Sequence, residues 1–258
     1  MALNRAIRNW HAQRVWLIGA SSGIGAALAQ ALHARGARVA LSARRAKQLD
    51  AEVASLDADR ACALPLDVTD CESIAAAERA LVARWQSYDL VVMLAGDYVP
   101  QQVQDFSLAT TRRIVDNNLG GIYNALAVVL PRLRAAGGGG LVLVSSVAGY
   151  RGLPRSLAYG PSKAALNNLA EALYLELKDD DVAVTLVSPG FVRTPLTASN
   201  PFPMPALIEP QEAALAIIAG LERGAFEIHF PRRFTWVMKA LALLPARLYL
   251  PLIRWLTR

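Results

Sequence analysis

The stretch "LAYGPSKAAL", Leu157–Leu166, sets a tyrosine and a lysine four residues apart, Tyr159 and Lys163. A phenol titrates near about 10 and exchanges protons poorly at neutral pH. A cation within about 4–6 Å favours the phenolate and lowers that value. Positions i and i+4 share one helix face, so a helix starting here brings the ammonium toward the phenol. Pro161 is tolerated in the first turn, where its missing N–H has no helical partner anyway. The same spacing also arises as a plain helix start with a surface lysine. The upstream stretch "LVLVSSVAG" weighs against that plainer origin. It puts Ser145 and Ser146 at the carboxyl end of an apolar strand, the edge where open α/β sheets bind ligands. Ser146 precedes Tyr159 by thirteen residues. A hydroxyl there can hold a carbonyl oxygen while Tyr159 donates a proton to it.

A second constellation lies near the amino end. "RVWLIGA" reads as a buried strand and runs into "GASSGIG", Gly19–Gly25, which opens a helical pattern. The loop residues Gly19, Ser21, Ser22, Gly23, Ile24 and Gly25 have the composition of a phosphate cradle. Glycines let the backbone approach a pyrophosphate, serines add hydroxyl donors, and the helix start favours an anion. A purely structural turn is the alternative. The next strand ends "LSARR" with no carboxylate for a ribose 2′-hydroxyl. Arg44 is placed to meet a 2′-phosphate by charge and paired hydrogen bonds, so NADP(H) is expected over NAD(H).

These groups need a scaffold, and the chain alternates strand and helix throughout. Strands are expected over Arg14–Ala20, Ala37–Arg44, "ACALPLDV", Asp89–Gly96, "GGGGLVLVSS" and "DVAVTLVSPG". Helices are expected over Gly23–Gly36, from Ala46 to about Leu56, in "CESIAAAERALVARW", over one long stretch from Leu108 to Ala135, and from Tyr159 to Leu177. The strands are nearly continuous apolar runs, as in a parallel sheet covered on both faces. The expected fold is α/β, a doubly wound Rossmann-type parallel sheet of about seven strands with helices on both faces, in a single domain. Residues 1–230 would form the dinucleotide-binding unit, and residues 231–258 an apolar and basic tail.

Composition narrows the classes. Of the 258 residues, 54% are hydrophobic and 19% charged, which supplies a large core and argues against disorder. The net charge of +6 is scattered rather than gathered in a run, so nucleic acid is not an expected partner. Cys62 and Cys71 show no metal-ligand spacing, and no metal is expected. Two cysteines suit a reducing compartment, and the amino terminus lacks the apolar core of a secretory signal, so a cytoplasmic location is expected. No apolar run reaches the length of a membrane span.

Together the glycine loop "GASSGIG", a serine thirteen residues before "YGPSK", and Pro189–Gly190 with Thr194 after the sixth strand resemble the classical short-chain dehydrogenase/reductase family. The resemblance spans roughly residues 12–230. It implies that Ser146 orients the substrate oxygen and that Tyr159 is the general acid/base. Lys163 would lower the Tyr159 pKa and contact the nicotinamide ribose. Asn118 in "DNNLGG" would hold a water linking Lys163 to solvent, with Asn117 its rival. Asp67 would contact adenine, with Val68 beside it. Val192 and Thr194 would hold the nicotinamide carboxamide, and Ala95 and Gly96 would let the backbone pass the cofactor. One departure stands out: the family's "NNAG" is "MLAG" here, Met93–Gly96, so two asparagines' hydrogen bonds must be replaced or lost.

The resemblance further implies a substrate lid near 193–208, where Leu196, Phe202, Met204 and Leu207 point to a hydrophobic small-molecule substrate. The expected reaction interconverts a carbonyl and an alcohol, in a homodimer or homotetramer. The tail "FPRRFTWVMKALALLPARLYLPLIRWLTR" mixes apolar blocks, aromatics and basic residues. It fits an interfacial anchor, a subunit interface or a flap over the pocket. A membrane-peripheral lipid-carbonyl reductase and a nucleotide sensor without turnover are the competing functions. His11, His33 and His229 read as structural.

Overall fold

The computed structural model describes residues 2–198, 200 and 202–257. Ser199 and Pro201 of the expected lid and Arg258 of the tail lie outside the described residues. The strands are β1 (Arg14–Ile18), β2 (Arg38–Ser42), β3 (Ala61–Ala63), β4 (Leu90–Met93), β5 (Gly139–Val144), β6 (Val182–Pro189) and β7 (Glu227–Phe230). The helices are α1 (Gly23–Ala34), α2 (Ala46–Ala54), α3 (Cys71–Trp85), α4 (Leu108–Val115), α5 (Gly121–Ala135), α6 (Tyr159–Glu176), α7 (Pro210–Glu222), α8 (Arg232–Ala242) and α9 (Ala246–Leu256). The sheet order is β3-β2-β1-β4-β5-β6-β7, and every pairing is parallel. Strand order therefore reverses between β1 and β4, and a crevice opens at their carboxyl ends.

Strand residues feed two cores by simple alternation. Val15 and Leu17 of β1, Val92 of β4 and Val142 of β5 pack with α1 and α7. Trp16 and Ile18, Val91 and Met93, Leu141 and Leu143 pack with α3, α5 and α6 on the opposite face. Both faces are covered, which is why the strands read as unbroken apolar runs. Trp16 is fully buried, lies 5.7 Å from the Tyr88 ring, and donates its indole N–H to the Ser42 hydroxyl at 2.9 Å.

Three elements depart from expectation. The regular third strand ends at Ala63, and Pro65 follows on the open edge of the sheet, where its missing N–H would face away from β2. The flanking amides still bond across, Leu64 to the Leu41 carbonyl and Leu66 to the Ala43 carbonyl. The long helix over 108–135 is broken by a π-helical turn, Asp116–Gly120, between α4 and α5. The tail forms two helices, separated at Pro245, and β7 supplies the seventh strand. The histidines are structural. Gly36 packs against the His11 ring, the His33 Nε2 accepts from the Asp57 amide, and the His229 Nδ1 pairs with the Thr235 hydroxyl at 2.7 Å.

Trp16→Ala removes the largest side chain of β1 and strands the Ser42 hydroxyl. The expected loss is about 3–5 kcal/mol of unfolding free energy, read from urea denaturation. A loss below about 1 kcal/mol would mean the second core is not built on β1.

Candidate active site

A cleft of about 500 Å³ lies along the carboxyl ends of the strands. The glycine loop forms one end. Gly19 has φ of +104°, and a Cβ there would sit 2.4 Å from the Ala95 amide nitrogen, so β1 and β4 close together only around glycine. No side chain caps the start of α1 and its first turn holds no acid. The amides at that end are open to an anion in the cleft. Arg44 and Arg45 both line the cleft and are exposed. Arg45 donates to the hydroxyls of Ser21 at 3.0 Å and Ser22 at 3.2 Å, tying the basic pair to the loop.

The other end holds Ser146, Tyr159 and Lys163. Ser146 follows β5, and its Oγ accepts the Ala148 amide, capping a short 3₁₀ turn over Val147–Gly149. That turn lies directly on α6. A Cβ on Gly149 would sit 2.7 Å from the Lys163 carbonyl carbon, and Asn167 donates to the Gly149 carbonyl at 3.0 Å. Two further bonds join β5 to the same point of α6. The Ser145 hydroxyl donates to the Lys163 carbonyl at 2.9 Å, and the Lys163 ammonium donates to the Val144 carbonyl at 2.9 Å. Lys163 is only 4% exposed, and burial holds its pKa down to about 8. Its Nζ lies 5.6 Å from the centre of the Tyr159 ring.

The phenol differs from the sequence expectation. Burial pushes Tyr159 up to about 12, the Ser146 hydroxyl pulls it partly back, and Tyr98 adds to the rise. The Tyr98 ring meets Tyr159 edge to face at 4.8 Å and 71°. Desolvation is the largest cause of this shift, so the lowering expected from Lys163 is not what sets the phenol's value here.

Asn118 is fully buried behind the cleft. Its Oδ1 accepts the Asp97 amide at 2.6 Å, and its Nδ2 donates to the Asp97 carbonyl at 2.9 Å and to Ser162 Oγ at 3.1 Å. The side chain thus clamps the segment after β4 to α6 and is committed to those partners rather than facing the cavity. Asn117 reaches the lining, while its Nδ2 donates back to the Arg113 carbonyl. At "MLAG" the main chain keeps its pairing with β1: the amides of Leu94 and Ala95 both donate to the Ile18 carbonyl, at 2.7 and 2.8 Å.

The cleft also gathers Ile24, Gly25, Val68, Ala95, Gly96, Pro189, Gly190, Val192 and Thr194 in its wall. Asp67 is outside the lining and turns its carboxylate onto the amide and hydroxyl of Thr69. In the lid, Leu196 lines the cleft. Phe202 packs edge-on to Phe191, and the Met204 sulfur accepts from Asn200. Arg45 and Tyr98 were not expected. Arg45 is legible only as the second basic residue of "LSARR", and the loop around Tyr98 carries no periodic signal.

The family description "short chain dehydrogenase" matches residues 13–202. The chain belongs to the short-chain dehydrogenase family. An uncharacterized oxidoreductase of Myxococcus xanthus is 39% identical over 233 residues, 90% of this chain and 92% of that one. An uncharacterized oxidoreductase of Staphylococcus aureus is 31% identical over 204 residues, 79% of this chain and 88% of that one. The crystal structure of a short-chain dehydrogenase from Streptomyces avermitilis has a TM-score of 0.80 at 28% identity, covering 96% of this chain and 98% of that chain. The protein is therefore an NAD(P)-dependent short-chain dehydrogenase/reductase, an oxidoreductase on a Rossmann fold.

In this short-chain dehydrogenase the buried lysine leaves a thermodynamic mark. Its folded pKa, about 8, lies below the ordinary lysine value of 10.5. Between those values the unfolded chain binds the proton and the folded chain does not, so stability rises with pH through that window. The unfolding free energy of the wild type should gain on Lys163→Met by about 2 kcal/mol from pH 8 to pH 10. Denaturant melts at both pH values measure the difference, and a flat difference would contradict a desolvated amine.

Proposed function

We propose that the protein is an NADP(H)-dependent oxidoreductase that interconverts a carbonyl and an alcohol on a hydrophobic small molecule, with Tyr159 as general acid/base. The observation that carries this reading is the position of the Tyr159 phenol, beside the Ser146 hydroxyl and the buried Lys163, in a cleft whose far end is the glycine loop. The residues present fit a dinucleotide. Gly19–Gly25 would hold the pyrophosphate, Arg44 and Arg45 a 2′-phosphate, and Val192 and Thr194 the nicotinamide end. When bound, that nucleotide supplies or takes up the hydride.

The chain's own residues do the rest. Ser146 donates a hydrogen bond to the substrate oxygen and fixes its position. Tyr159, held neutral by burial, is in the right state to donate its proton to that oxygen as a carbonyl is reduced. Oxidation needs the phenolate, which the Lys163 charge favours. Asn118 acts as a positioning residue, fixing α6 and the segment after β4 on either side of the ammonium. Tyr98 and Leu196 present aromatic and aliphatic surface on the substrate side, which supports an apolar substrate. For the phosphate end, two arginines and no acid follow β2, and charge favours a 2′-phosphate over a bare hydroxyl.

Tyr159→Phe keeps the ring packing on Tyr98 and removes only the proton donor. We expect kcat with NADPH and a hydrophobic ketone to fall about 10²–10⁴-fold, with the NADPH Kd unchanged within about threefold. Retained turnover would end the assignment. For Arg44→Asp, the ratio of kcat/KM for NADPH over NADH should fall by at least about tenfold. An unchanged ratio would assign the preference elsewhere.

A further inference from the structure

We propose that the α8–α9 helix pair is an interfacial anchor that seats the mouth of the cleft on an anionic phospholipid surface. This goes beyond the reaction and stands independently of it. Residues 231–258 contain no acidic side chain and six basic ones. Among the described residues, Lys239 turns inward to Glu227, whereas Arg232, Arg233, Arg247 and Arg254 are exposed and make no ion pair. Each helix buries a narrow stripe and exposes apolar surface. On α8, Thr235 and Met238 are buried while Trp236 is 60% and Val237 56% exposed. On α9, Tyr249 and Ile253 are buried while Leu250 is 62% and Trp255 71% exposed, and Leu243 between the helices reaches 86%. Tryptophan and leucine among arginines, without a carboxylate, is the composition that lies in a charged headgroup layer. None of the described helices is long and apolar enough to cross a membrane, so the segment would lie on the surface.

Placement ties this face to the cleft. The strands are parallel, so α8 leaves the sheet at the same edge that carries the site. Phe234 of α8 packs on Phe191 at 5.5 Å, and Phe191 on Phe202 of the lid. Arg151 donates to the carbonyls of Ala242 and Leu244 and lies 4.1 Å over the Tyr249 ring. The Tyr249 hydroxyl donates to the Gly152 carbonyl at 2.8 Å. The helix pair is thus bolted to the loop between Ser146 and Tyr159, and an apolar substrate would pass from lipid to cleft along this edge. A two-fold dimer through the same patch would bring arginines toward arginines with no carboxylate of the segment to meet them, which disfavours a second copy as the occupant.

The test is co-sedimentation of the full-length protein with phosphatidylcholine vesicles, with and without phosphatidylglycerol. We expect pelleting on the anionic vesicles, at least about tenfold weaker on neutral ones. It should be strongly reduced as salt rises from about 0.1 M to about 1 M, where the screening length falls from about 10 Å to about 3 Å. Each arginine at such a surface is worth about fivefold, so Arg247→Ala with Arg254→Ala should weaken binding about 25-fold. Trp236→Ser with Trp255→Ser should abolish it, and Leu175→Ser, at an exposed leucine on α6, should leave it unchanged. Circular dichroism melts verify that each variant folds. Equal binding to both vesicle types, equal loss with Leu175→Ser, or a dimer that the tryptophan changes dissolve while vesicles never bind would each overturn the proposal.

Discussion

An ammonium taken out of water governs how this active site is held. Lys163 sits in the interior with the Val144 carbonyl as its hydrogen-bond acceptor, and its own carbonyl accepts the Ser145 hydroxyl. A buried cation is costly unless well bonded, so these contacts fix where α6 can lie relative to β5. Tyr159 and Ser146 stand at the ends of those same two elements. Their relative placement thus follows from backbone contacts one residue away from the chemistry. Gly149 completes the joint, because any larger residue would drive the intervening turn off α6.

The sheet supplies the platform and the polarity. All strands run the same way, so every chemical group discussed collects at one edge, while the opposite edge is closed by bonds such as the Arg14–Asp89 pair at 2.8 Å. The glycine-loop end and the end that holds Ser146, Tyr159 and Lys163 are consequently separate constructions on a shared floor. One depends on glycine backbone and arginine charge, the other on a desolvated triad. The tail adds a third construction, joined to the loop that lies between the Ser146 and Tyr159 hydroxyls.

Much of this was legible in the amino-acid order, for physical reasons. Strands covered on both faces must be apolar at every position, so "RVWLI" and "LVLV" stand out, and the spacing of Ser146, Tyr159 and Lys163 is set by one strand end and one helix turn. What was hidden depends on tertiary detail. The break at 116–120 was not legible because a π turn shifts the helical hydrogen bond by a single residue and no residue type marks it. Arg44 and Arg45 are equivalent until a backbone direction chooses which one reaches the serines. The sign of the Tyr159 shift follows from how thoroughly the site is dried, which the i,i+4 spacing with Lys163 does not report. Tyr98 lies in a loop whose path is set by the Asn118 clamp.

The π turn at Asp116–Gly120 inserts one residue into what would be a continuous helix. Each residue of an α-helix advances the side-chain direction by about 100°. The extra residue therefore lets α4 and α5 each keep an apolar stripe against the protein while Asn118 swings under Gly96. Shortening this segment by one residue would regularise the helix and force a choice: either the asparagine leaves its clamp or α5 rolls its valines toward water. Chain length at this point thus sets the facing of two helices at once, which no single side chain of the turn does.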